Sequence, residues 1–374
     1  MIARSAPRIF LSAGEPSGDL HGAGVIRALL ARHPDARIEA LGGPLMEAAG
    51  ATLRYRMEGL AAFGVVEVVT KLRAHWRLLR AMRDDFRAGR YDLVILIDYP
   101  GFHVRVAEAA RGAGTKVLYY IAPQLWAWRP GRARRFAAAV DRLAVVLPFE
   151  QPFFGQLGLR SDYVGHPLID RAPLPTREEA RAGLGIPVGA RVLGIFPGSR
   201  AQEVRRLWPP FRDAAVQLMH EGRCDRVLVA GAKVGEYPDA GPLTVVRDDS
   251  RVVLAASDTL LAKSGTTTLE AALADRPMVV AYKVHALTYR LFQRLRTVRW
   301  VSLVNLVADR EVVPEIMQEQ ADAGRLADAL RPLLDPADPR TAAQREGLAL
   351  VRRRLGEPGA TTRVVALADE LLGA

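Results

Sequence analysis

The stretch Arg191–Leu207, RVLGIFPGSRAQEVRRL, leaves few folds open. Its apolar run Val192–Phe196 reads as a buried strand, breaks at Pro197-Gly198-Ser199-Arg200 and passes at once into a helical pattern. A buried strand handing directly to a helix is half of a βαβ unit, the building block of a parallel α/β sheet. Pro197 ends the strand, Gly198 lets backbone come close to a ligand, and Ser199 is a good N-cap. The helix behind aims free N–H groups and a positive dipole end at whatever sits there. That suits a phosphate, and Arg200 adds a planar fork that can hold two of its oxygens. The same residues equally suit a capped turn with a surface arginine, so the rest of the chain has to decide.

The alternation repeats on both sides. Arg8–Ala13 reads as a strand, Gly14–Asp19 (GEPSGD) as a tight polar loop, His21–Arg32 as a helix and Arg37–Leu41 as a second strand. Loops at the carboxyl ends of parallel strands form the ligand crevice, which makes Glu15, Ser17 and Asp19 candidates there, with a capped glycine turn as the alternative. Tyr91–Asp98, YDLVILID, is the clearest buried strand, and it delivers Asp98 to the crevice, where a general base belongs. Asp98 could instead cap the helix that follows Pro100-Gly101. Val117–Ile121, Arg142–Leu147 and Ser161–Val164 continue this half. The second half adds strands at Arg226–Ala230, Thr244–Val246, Thr259–Ala262 and Met278–Ala281. Lys263–Glu270, KSGTTTLE, is another strand-to-helix junction, with Glu270 placed to accept bonds from a ribose diol. Two anion-seeking junctions in one half favour a nucleotide.

The 374 residues, 49% of them hydrophobic, suffice for two such domains. The expected boundaries are 1–167 for a domain holding the carboxylate crevice and 168–340 for a nucleotide-binding domain. The proline-rich stretch Gly165–Thr176 links them. A second proline break, Asp335–Thr341, should release terminal helices in 341–374 that cross back to the first domain. The single cysteine, Cys224, rules out an intramolecular disulfide and a Cys-rich metal site. With no long apolar segment, the chain reads as cytoplasmic.

A net charge of +11 favours an anionic partner, although only five of the 52 basic residues are lysines, an imbalance that codon bias could produce. Gly59–Arg90 joins an apolar patch, with Phe63, Val65 and Val66, to a basic helical run carrying Trp76. That pattern fits either an interfacial membrane segment or a core helix with a solvated basic face. The loop at Trp126 and Trp128, rich in arginine, could stack bases, hold lipid phosphate or pack. GxGxxG, GxxxxGK[ST], DxD, HExxH and GxSxG are all missing, which argues against nicotinamide, P-loop, metal-dependent sugar-transfer, zinc-protease and serine-hydrolase chemistry. What remains suits transfer from a nucleotide-sugar across a cleft without an obligatory metal.

In this order, SAGEPSGDLHGA, LIDYPGFHVRVA, YIAPQLWAWRPGR, VLPFEQPFF, YVGHPL, FPGSRAQEV, KSGTTTLEAAL and SLVNLVADREVVPEIMQ closely resemble the lipid-A-disaccharide synthase family. The resemblance runs from about Arg8 to about Leu334. It implies two doubly wound Rossmann-like domains in the glycosyltransferase B fold and inverting transfer of diacylglucosamine. The donor would be UDP-2,3-diacylglucosamine and the acceptor 2,3-diacylglucosamine 1-phosphate, giving the β-1,6-linked disaccharide 1-phosphate and UDP at the inner face of the inner membrane. It implies no cofactor or metal and no nucleic acid, and it admits a homodimer. By motif, Asp98 matches the base and Arg200 the UDP-contacting arginine. Gly198, Ser199, Gly265, Thr266, Glu270, Asn305 and Glu311 match the UDP pocket, and Glu15 a first-domain cleft residue. Two positions depart from the usual pattern: His103, where asparagine is frequent, and Val304, where proline often precedes Asn305. Rival readings are a UDP-sugar 2-epimerase, which needs no membrane segment, a glycosyltransferase acting on a lipid-linked muropeptide, and a nucleic-acid binder resting on charge alone.

Overall fold

The computed structural model describes residues 6–57, 65–127, 131–233 and 235–373, with backbone alone at 65–72, 286–288 and 291. Two compact units are present, residues 1–170 with 357–374, and residues 171–356.

The first unit is built on strands β1 (Arg8–Ala13), β2 (Arg37–Gly42), β3 (Thr52–Arg56), β4 (Leu93–Ile97), β5 (Lys116–Tyr120), β6 (Arg142–Val145) and β7 (Ser161–Tyr163). All pair in parallel in the order β3-β2-β1-β4-β5-β6-β7. The apolar run LVILI at the centre explains the arrangement, because every side chain of β4 is buried, as a strand covered on both faces by helices requires. The order reverses between β1 and β4, where Ala13 pairs with Ile97. Their carboxyl ends therefore diverge into a crevice.

The second unit repeats the plan with β8 (Val192–Phe196), β9 (Arg226–Gly231), β10 (Thr244–Arg247), β11 (Thr259–Lys263), β12 (Met278–Tyr282) and β13 (Glu315–Met317). The order is β10-β9-β8-β11-β12-β13, again all parallel, and the reversal falls between β8 and β11. Trp208, Phe211 and Leu218 from the helix Ala201–His220 pack over β8 and β9 in the core. Cys224 is buried there, its thiol pushed up to about 12 by burial.

Two edge strands were not expected. β3 shows no buried face that periodicity could reveal, and it is held by ionic contacts: Arg54 grips Asp85 through two bonds of 2.6 Å, and Tyr55 donates to the same carboxylate at 2.9 Å. β13 has three residues.

The terminal helices part company, which corrects the expected boundaries at 340 and 341. Pro339–Leu355 stays with the second unit, where Gln344 accepts from the backbone N–H of Met278 at 2.5 Å and Gly347 lies against Val312. Only Ala360–Leu372 joins the first unit, where Asp369 pairs with His33 at 2.6 Å and Arg142 with Glu370 at 3.0 Å. The chain changes unit at Gly356-Glu357 instead of at the Asp335–Thr341 break.

Candidate active site

In the first unit, β4 ends and Asp98 (φ 48°) and Tyr99 (φ 51°) follow, two consecutive left-handed residues that are not glycine. Such a pair costs roughly 1–3 kcal/mol per residue and needs surroundings that impose it. Those surroundings are visible. The Asp98 carbonyl accepts from the Tyr119 hydroxyl at 2.6 Å and from His103 Nδ1 at 2.7 Å, while its N–H donates to the Tyr120 carbonyl at 2.9 Å. His103 is fully buried, and its Nε2 meets the Ser12 hydroxyl at 2.8 Å. Since Nδ1 faces a carbonyl it must carry the proton, so Nε2 accepts from Ser12 and the ring is neutral. Burial agrees, pushing the imidazole down to about 4.

The backbone is thereby fixed and the carboxyl group left over. Tyr99, not Asp98, is the N-cap of the helix Pro100–Gly112, and no side chain caps that end. The capping alternative for Asp98 falls. Burial, with the negative charge of Glu15 adding to it, pushes its carboxyl up to about 6. The Tyr99 backbone N–H, donated to the carboxylate, only partly opposes that rise, and a partly buried carboxyl raised in this way suits a general base.

The GEPSGD loop divides. Gly14 lies so close under Tyr99 that a Cβ there would come within 2.3 Å of its ring. Glu15 and Ser17 are exposed at the start of the helix Pro16–Arg32. Asp19 is a correction: it is only 2% exposed and accepts from the N–H groups of Gly43, Leu45 and Met46 at 2.9–3.1 Å, capping the helix Pro44–Ala48. With those bonds made it is not an acceptor-binding group. Trp126 also proves structural, buried with its indole N–H donated to the buried Glu150 at 2.9 Å, so it does not stack bases. Trp128 lies outside the described residues.

In the second unit both junctions sit at the carboxyl ends of adjacent strands, β8 and β11. Gly198 has φ 122°, and a Cβ there would meet Glu203 Oε2 at 2.6 Å. Ser199 is exposed but is not the N-cap. The helix starts at Ala201 with Arg200 as N-cap, and Glu203 reaches back to accept from the N–H groups of Ser199 (3.2 Å) and Arg200 (3.4 Å). A carboxylate one turn into the helix satisfies these amides better than the serine hydroxyl does. At the other junction Gly265 is the N-cap and Thr266 opens the helix Thr266–Leu273. Glu270 is paired with Arg171 at 2.6 Å; burial raises its carboxyl, with Arg171 opposing.

Of two further expected pocket residues, one is buried beside the second junction and the other lies away from both. Asn305 is fully buried, and its amide serves Val313, Val312 and Glu315 at 2.7–2.9 Å, so its side chain shapes the loop whose Val301 carbonyl accepts from the Ser264 hydroxyl at 3.0 Å. Glu311 precedes β13 and lines a groove with Gln344, which is bonded to the first residue of β12. That groove lies at the amino ends of the strands, opposite the junctions. Glu315, which the sequence reading did not single out, is the organiser: it accepts from Val301 N–H, Ser302 N–H and Asn305 at 2.8–2.9 Å. The Val304 N–H donates to the Ser302 hydroxyl at 3.2 Å, a bond proline could not make. Among the described residues no His, Cys, Asp or Glu cluster is arranged to hold a metal ion.

Phe63 lies outside the described residues, and the side chains of Val65 and Val66 do too. On the helix Val65–Arg87 that carries them, Leu79, Met82 and Phe86 are buried, while Trp76 is 55% exposed beside Arg105.

The family model for lipid-A-disaccharide synthetase matches residues 9–355. The lipid-A-disaccharide synthase of Geobacter sulfurreducens is 41% identical, covering 100% of this chain and 99% of its own. That of Pseudomonas putida is 42% identical over 87% of this chain and 89% of its own. Solved structures share the fold alone: the glycotransferase of kitacinnamycin at 18% identity with a TM-score of 0.67 (99% and 100% covered), and the Neisseria meningitidis UDP-GlcNAc 2-epimerase at 11% and 0.67 (97% and 100% covered). The architecture is the glycosyltransferase B fold. A family model spanning nearly the whole sequence and full-length relatives near 40% identity lead to one conclusion: the chain belongs to the lipid-A-disaccharide synthase family.

Proposed function

We propose that this glycosyltransferase moves 2,3-diacylglucosamine from UDP-2,3-diacylglucosamine to 2,3-diacylglucosamine 1-phosphate with inversion, releasing UDP. Asp98 is the base. Its carboxylate takes the proton from the acceptor 6-hydroxyl as that oxygen bonds to the anomeric carbon, and the bond from that carbon to UDP breaks on the opposite face. The observation that carries this reading is the place of Asp98 at the carboxyl end of β4, on a backbone held by His103 and Tyr119, with burial raising its carboxyl. Such help is worth ~10²–10⁴-fold in rate.

Ser199, Arg200, Gly265 and Thr266 hold the nucleotide at the two junctions, and Gly198 admits it. Glu270 supports the ribose while paired with Arg171. Glu15 stands by the acceptor, with Ser17 beside it. The charge that grows on UDP is met by Arg200 and helix-terminal amides, so no resident metal or cofactor is needed.

Trp76 and the exposed Arg73, Arg77, Arg80 and Arg83 support peripheral binding to an anionic bilayer, the inner face of the inner membrane, where both acylated substrates reside. No described helix is long and apolar enough to cross a membrane. A homodimer is compatible with this reading. An epimerase role has only shared fold in its favour. The test is to incubate the protein with both acylated glucosamines and follow the products by mass spectrometry. The disaccharide 1-phosphate and stoichiometric UDP are expected. Epimerised UDP-sugar without disaccharide overturns the reading.

A further inference from the structure

The two junctions of the second unit are bridged by the first residue of KSGTTTLE, to which no role has yet been given. Lys263, the last residue of β11, places Nζ 3.1 Å from Glu203 Oε1. The other oxygen of that carboxylate is the one seated on the N–H groups of Ser199 and Arg200. One carboxylate thus ties Lys263 to the amino-terminal end of the helix Ala201–His220, so the ammonium stands one ion-pair length from a group seated on that end.

The ammonium is also oddly placed for a lysine without a ligand. A Cβ on Gly265 would lie only 3.5 Å from Nζ, so the charge sits at the amino-terminal end of the helix Thr266–Leu273 as well as near that of Ala201–His220. Both helix dipoles oppose a cation there. Glu203 offsets one positive charge, and Arg200, 3.5 Å from the same carboxylate, adds another. The junction is left positive, at the place where two helices already favour an anion.

Exposure separates the two cations. The Arg200 side chain is 66% exposed and that of Lys263 only 20%, with the Tyr282 ring 6.0 Å from Nζ. Water and salt screen the arginine more than the lysine.

We propose that Lys263 is a second diphosphate-binding cation, acting with Arg200 to hold the UDP moiety of the donor; this rests on the nucleotide reading above. The test is calorimetric binding of UDP and, by competition, of uridine. Lys263→Met should weaken UDP by about tenfold or more, the ordinary worth of a charge-assisted contact, and leave uridine within about twofold. Lys263→Arg should keep most of the UDP affinity. Undiminished UDP binding in Lys263→Met, or equal losses for UDP and uridine, overturns the assignment, the second because it marks a merely structural lysine. Failure of the wild-type protein to bind UDP at all is a different result: it removes the nucleotide reading itself.

Discussion

His103 donates from Nδ1 to the backbone carbonyl of Asp98 at 2.7 Å, five residues earlier in the chain. A buried, neutral ring thus pins the main chain of the proposed base, while its carboxyl answers to burial, Glu15 and the Tyr99 N–H. Position and protonation of Asp98 are controlled by different groups, and each can be tested separately.

Asp98→Asn should lower turnover by about two to four orders of magnitude with UDP affinity unchanged. In the wild-type enzyme kcat/KM should fall as pH drops through about 6, where the raised carboxyl takes up its proton. The same shift has a stability sign. A carboxyl raised in the folded state binds protons more tightly there than when unfolded, so folding loses stability as pH rises from about 4 to about 6. Asp98→Asn should therefore be more stable than wild type at neutral pH, by on the order of 1–3 kcal/mol, with the difference vanishing below about pH 4. Paired urea titrations at pH 4 and 7.5 measure this; a less stable variant at pH 7.5 contradicts it.

His103→Phe keeps the ring volume and removes both bonds. A loss of about 1–3 kcal/mol is expected from the groups left unsatisfied. Turnover should also drop while the donor KM stays near wild type. Unchanged turnover would mean that the bonds to Tyr119 and Tyr120 suffice to hold the Asp98 backbone.

Arg200→Ala should weaken UDP binding about tenfold or more, and Arg200→Lys should recover little, because an ammonium lacks the two-pronged fork. Equal affinities in calorimetry for wild type and Arg200→Ala discard the assignment.

Activity should survive EDTA if, as proposed, side-chain cations and helix-terminal amides meet the charge on the diphosphate. Loss on chelation, restored by magnesium or manganese, overturns that expectation.

Replacing Phe63, Val65 and Val66 with serine should reduce sedimentation with anionic vesicles, because each buried apolar side chain contributes on the order of 1.5–3 kcal/mol. UDP binding should be unaffected. A folded variant that sediments like wild type ends the membrane reading for this patch.

Most strands could be read directly, because a buried parallel strand is a short apolar run between turns, and LVILI or VLGIF permits little else. β3 escaped because ion pairs, not an apolar stripe, hold it. The position of Asp98 at the end of β4 was legible because the strand announces it, but the dedication of His103 to its carbonyl spans a turn whose left-handed pair no periodicity reveals. Asp19, Asn305 and Glu311 look alike in a string of polar residues. What separates them from Glu15 and Ser199 is three-dimensional: which backbone amides happen to point at them, and at which end of a strand they fall. Glu203 displaced Ser199 as the cap for the same reason.

The return of the chain to the first unit also governs the order in which the protein can be made. The helix Ala360–Leu372 supplies Asp369 to His33 and Glu370 to Arg142, and Asp170 receives the N–H of Gly359 at 2.6 Å. Until the whole second unit has left the ribosome, those partners wait and the surface meant for Val364, Val365 and Ala368 stays open to water. The proposed acceptor half can thus be completed only after the proposed nucleotide half has been synthesised. A nascent chain interrupted between them carries a sheet still missing one of its covering helices.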